Sequence, residues 1–153
     1  MPDEFTTPQR QTLTAIVDTF VSSVPRDDDP DGFYAAKGSD VGADTATEHY
    51  LSTHLPEDQL AGLLQLLDGL ALFEFKDQPQ AAREEILANV AAISPDAAGA
   101  VAALNQLSVL FAYSLPGPDD HNPLWVGMGY PGPVQNPPHD ARKTLEVLSL
   151  IHI

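Results

Sequence analysis

The sequence predicts an all-α fold: about five helices in a bundle, then an irregular Pro/Gly-rich C-terminal segment. Three observations predict it. Apolar residues recur at steps of three and four through residues 8–114, the spacing that collects them on one face of a helix. Prolines and small polar residues open those stretches, where a missing N–H is harmless and a side-chain oxygen caps the first turn. Finally, seven of the fourteen prolines fall between Pro116 and Pro138, among Gly117, Gly127, Gly129 and Gly132. No helix or central strand is expected at that density.

The first helix is expected to start after Thr6 or Thr7, with Pro8 in its first turn and Pro25 ending it. Leu13, Ile16, Val17, Phe20 and Val21 form its apolar stripe. Residues 26–40 read as a loop rich in Asp, Gly and Pro. Residues 43–54 read as a short second helix with Tyr50 and Leu51 facing inward. Pro56, Glu57 and Asp58 open a third, with the acids at the positive end of its dipole. It carries Leu60, Leu63, Leu64, Leu67, Leu70 and Ala71 and is expected to be the central, most buried helix. Pro79 opens a fourth, lined by Ala82, Ile86, Val90 and Ile93. Ser94-Pro95-Asp96 is a strong start signal for a fifth. That helix should bury Val101, Leu104, Leu107, Leu110 and Phe111 and run out near Tyr113.

Composition bounds the function. A chain of 153 residues with 43% hydrophobic content fits one domain with a real core. Seven basic against 22 acidic residues leave a net charge of −15. That balance argues against nucleic acid and against anionic membrane surfaces. Having no cysteine removes disulfides, thiolate metal sites and a thiol nucleophile, and fits a cytoplasmic protein. The N-terminus lacks the basic and apolar regions of a secretory signal. The apolar stretch over residues 60–75 is interrupted by Gln65, Asp68 and Glu74, so no membrane span is expected there.

Candidate chemistry is sparse. Asp27-x-Asp29-x-Asp31-Gly32 repeats the first half of an EF-hand loop, which makes these three acids a weak calcium candidate. The twelfth position, which should be a bidentate Glu, is Gly38, and an acidic surface turn is the plainer reading. His49 and His54 are five apart and face different ways, which does not suit zinc on a helix. They, His121, His139 and His152 read as structural or exposed. Ser108 and Ser114 have no nucleophile elbow. No phosphate-binding loop occurs, and Gly127-Met-Gly129 runs into Tyr-Pro, where a cradling N–H would be needed. The chain by itself carries no catalytic constellation.

Two segments carry a resemblance: Leu13-Thr-Ala-Ile-Val-Asp-Thr-Phe20, and Pro123-Leu-Trp-x-x-x-Gly-Tyr-Pro-Gly-Pro133. With the acidic Asp-Gly loop and Leu-rich helix between them, the chain resembles the N-terminal helical region of long-chain-alcohol-oxidase-like glucose–methanol–choline (GMC) oxidoreductases. That region is similar to the small helical subunit of gluconate 2-dehydrogenase (subunit 3 family). The resemblance spans roughly residues 10 to 147, and its most specific part is the run from Trp125 to Pro133.

The resemblance implies a parent that is an FAD-dependent alcohol oxidase or dehydrogenase, its flavin held on a glycine-rich turn of a following domain. No cofactor is expected on this chain, and no catalytic residue carries over. The alternative is a free-standing accessory subunit that binds a separate flavoprotein. Residues 8–114 then form the helical module, and residues 115–147 a wrapping segment or linker to the FAD domain. Residues 148–153, Leu-Ser-Leu-Ile-His-Ile, match the translation of a transposase adapter used in sequencing libraries. They read as a non-native tail, or otherwise as a first strand of the next domain. Trp125, Met128 and Tyr130 are the expected docking contacts, with folding back onto the module's own helices as the alternative. An exposed apolar patch is expected on a module that packs against a partner.

Overall fold

Caps set the helix starts. The computed structural model describes residues 4–127 apart from 25, 31, 119 and 120, and it is all-α, with no strand among the described residues. Thr6 caps α1 (Thr7–Phe20) through a capping box with Gln9: the Thr6 hydroxyl accepts from the Gln9 N–H, and the Gln9 side chain accepts from the Thr6 N–H at 2.8 Å. Pro56 and Pro79 sit at the N-caps of α3 (Glu57–Leu72) and α4 (Gln80–Ala91). Ser94 caps α5 (Pro95–Ser114), its hydroxyl accepting from the Ala97 N–H at 3.0 Å. Between α1 and α3 lies α2 (Ala43–His54).

Two expectations about helix ends are corrected. α1 stops at Phe20, ahead of Pro25, because the departing chain pairs with the returning loop: Val24 N–H donates to the Tyr34 carbonyl and Gly38 N–H to that of Val21. The Pro/Gly-rich region also contains a helix, α6 (Pro123–Gly127). It forms because Asn122-Pro123 is itself a start signal, with Asn122 Oδ1 accepting from the Leu124 N–H at 2.9 Å. Residues 119, 120 and 128–147 of that segment and the 148–153 tail lie outside the described residues.

The central helix is α1, not α3. It touches α2, α3, α4, α5 and both 3-10 turns (Gly38–Val41 and Phe75–Asp77) and buries residues around its whole circumference. Its two buried threonines are satisfied locally. Thr12 and Thr19 donate to the carbonyls of Pro8 and Ala15, one turn back, at 2.8 and 2.6 Å. Hydroxyls spent in this way let a helix of modest apolarity sit in the middle of the core. α3 supplies Leu60, Leu63, Leu64, Leu67 and Leu70 from one side, and Phe75, Leu87 and Leu104 complete the main core.

A second, smaller core ties the loop to the C-terminal ends of α1 and α5 through Val17, Val21, Val41, Ala112 and Leu124. Gly38 is obligatory there, since a Cβ would stand 2.5 Å from the Val17 side chain.

Three expected inward residues are exposed. α4 buries Leu87 and ends at Ala91, so Ile93 falls past the last turn and is 76% exposed. α5 buries the i, i+4 line Leu104, Ser108, Ala112; Leu110 lies about 200° round the helix from Ser108 and is 57% exposed. Tyr50 sits at the rim of α2, stacked on His54 and edge-on to Phe111, while Leu51 is buried as expected.

Candidate docking surface

α5 has no charged residue from 97 to 114. It nevertheless packs with only one side: α1, α2, α4, α6 and the first 3-10 turn touch it, and it buries only Leu104, Ser108 and Ala112. Ala102, Ala103, Asn105, Gln106, Val109 and Leu110 face outward. By length and composition alone α5 is apolar enough to cross a bilayer, and core helices of soluble proteins meet the same measure. Leu72 and Phe73 at the end of α3, with Ile93 after α4, are the other large apolar side chains left most open. The bundle therefore presents apolar surface that the described residues do not cover.

Trp125 packs on its own module. Its ring is buried, and its indole N–H donates to the Tyr113 carbonyl at 2.8 Å, at the end of α5. Met128 and Tyr130, the other two expected docking contacts, lie outside the described residues.

The neighbouring Asn122 is a residue that sequence reasoning missed. Fully buried, it donates to the carbonyls of Ala112 and Leu115 at 2.8 and 2.7 Å and caps α6 with its own oxygen. The Ala112 carbonyl in the last turn of α5 and the Leu115 carbonyl just past it thus gain a partner. The Asn-Pro pair was the available signal.

The acidic loop is organised as a turn. Both Asp29 carboxylate oxygens accept from backbone, from Tyr34 N–H at 3.2 Å and Ala35 N–H at 2.9 Å. Asp27 is exposed and Asp31 lies outside the described residues, among which no group of three His, Asp or Glu converges to hold a metal ion. Arg26 lies over the Tyr34 ring at 4.4 Å and closes the loop from outside. His54 Nδ1 lies 3.1 Å from the Tyr50 carbonyl, and His49 and His121 are exposed. Ser108 is buried with its hydroxyl donating to the Leu104 carbonyl at 2.6 Å. It has no base beside it.

One buried carboxylate stands out. Asp18 on α1 accepts from the Ser39 N–H and hydroxyl, each at 2.8 Å, with Lys37 Nζ at 3.9 Å. Burial pushes its carboxyl above the ordinary 3.8, against the Ser39 hydrogen bonds and Lys37, which pull it down. This geometry holds the 3-10 turn to α1 and offers nothing to a substrate.

No family model matches the chain, nor does any curated protein or solved structure.

Proposed function

We propose that this chain is a non-catalytic helical module that works against a flavin-binding domain, as the N-terminal part of an FAD-dependent GMC-type alcohol oxidase or dehydrogenase. The observation that carries the docking role is the uncharged, largely uncovered outer side of α5. The flavoprotein nature of the partner is supported by the resemblance at residues 13–20 and 123–133. In this reading the Pro/Gly-rich residues from 115 lead out of the bundle toward the flavin domain, and Asn122 and Trp125 pin the start of that path to α5. A hydride would pass from the alcohol carbon to the flavin in the partner domain, where a histidine would take the hydroxyl proton. The module would shape assembly or substrate access. A cytoplasmic setting suits a chain without cysteine.

A second reading, a free-standing accessory subunit like the gluconate 2-dehydrogenase small subunit, is favoured by one observation. Trp125 and Leu124 close the helical unit on itself at its C-terminal end. Reading the coding frame past the Val147 codon decides between the two. An in-frame strand and glycine-rich turn support the first reading. A stop codon with a flavoprotein gene adjacent supports the second, and the absence of both would overturn the flavin partner altogether.

A further inference from the structure

The N-terminal halves of α3 and α5 flank a groove of about 740 Å³, with the last turn of α2 also lining it. Leu51, Leu63 and Leu104 make its apolar floor. Gly62 and Gly99 lie in its walls, one on each helix. A glycine inside a helix costs about 0.5–1 kcal/mol relative to alanine, so two of them ask for a reason. Packing among the described residues supplies none: unlike Gly38, neither would place a Cβ within 4 Å of a neighbouring atom, as is also true of Gly69 on α3 outside the groove. Smooth walls at these points let another backbone approach both helices closely.

Charge narrows the occupant. Asp58 and Asp96 stand at the rim, and no Lys or Arg among the described residues lines the groove. The described cations, Arg10, Arg26, Lys37, Lys76 and Arg83, belong to α1, the loop, the second 3-10 turn and α4. The lining runs along α3 from 58 to 66 and along α5 from 95 to 104. That is about 12–14 Å, room for two to three turns of helix.

We propose that this groove receives an amphipathic helix of a partner protein, with an apolar seam against Leu51, Leu63 and Leu104 and Lys or Arg flanking it to meet Asp58 and Asp96. Helix-in-groove recognition of this kind joins apolar anchors to a charged rim. The proposal stands apart from the flavin reading, because a partner without flavin satisfies it equally.

The test uses the full chain and a fluorescein-labelled synthetic helix of about 18 residues, or five turns. The probe has a Leu/Ala seam flanked by lysines; a twin carries glutamates instead. Fluorescence anisotropy should show the lysine probe binding about tenfold or more tightly than its twin. Gly62→Leu with Gly99→Leu fills the groove without changing charge and favours the helices; it should weaken the lysine probe about tenfold with the helical circular dichroism retained. If that pair misfolds, Gly62→Ala with Gly99→Ala should weaken it in the same direction. Asp58→Asn with Asp96→Asn should reduce affinity severalfold and flatten its salt dependence. No binding of the lysine probe, or unchanged affinity in a folded glycine variant, overturns the proposal: the second result would mean only general attraction to an acidic protein.

Discussion

Asn122 is the residue on which the end of the described chain depends. Removing its amide leaves the Ala112 and Leu115 carbonyls and the Leu124 N–H without their partner in a buried place. Asn122→Ala should cost about 2–3 kcal/mol in chemical denaturation and expose Trp125, seen as a red shift of its fluorescence. Asp18 gives a pH signature. Its folded-state value is raised, so its contribution is fully present below the ordinary 3.8 and is lost as pH rises through the raised value. Asp18→Asn keeps an acceptor for the Ser39 N–H and does not titrate. The variant's melting temperature relative to the parent should therefore be higher at pH 7 than at pH 3.5. A difference that grows toward acid would show that Ser39 and Lys37 outweigh burial.

At the scale of elements, helix starts were legible and helix phases were not. Ser94, Thr6, Pro56 and Pro79 act within a turn of chain, so their meaning is local and survives folding. Which side of α5 is buried depends on where α1, α2 and α4 lie, and the sequence offers leucines on several faces at once. Counting leucines pointed to α3 as the centre and placed Leu110 inside. The centre is α1, whose threonines looked polar until their hydroxyls found the preceding turn. Of the expected docking residues only Trp125 is described, and its burial reflects a hydrogen bond to Tyr113 that no local pattern encodes. The groove was not legible either, since it depends on where α2, α3 and α5 lie relative to one another. The phase assignment has a direct check by denaturation: Leu104→Ala should cost about 2–5 kcal/mol, whereas Leu110→Ala should cost well under 1 kcal/mol.

For the whole molecule, charge and apolar surface pull in opposite directions. A net charge of −15 is offset by few ion pairs: Arg10–Glu48, Lys37–Asp18 and Lys76–Asp77 are those among the described residues. Self-repulsion therefore opposes the compact state, and added salt should raise the melting temperature as the Debye length falls from ~30 Å at 0.01 M to ~8 Å at 0.15 M. A fall with salt would mean that the three pairs matter more than the unpaired acids. The same repulsion is weakest along residues 97–114 of α5, which carry no charge. The most direct measurement of a docking role is sedimentation of the isolated, helical chain with a neutral apolar dye such as Nile red, which acidity does not repel. Dye binding or concentration-dependent mass is expected, and Val109→Lys with Leu110→Lys should reduce it. A clean monomer that leaves the dye dark would contradict an uncovered partner surface.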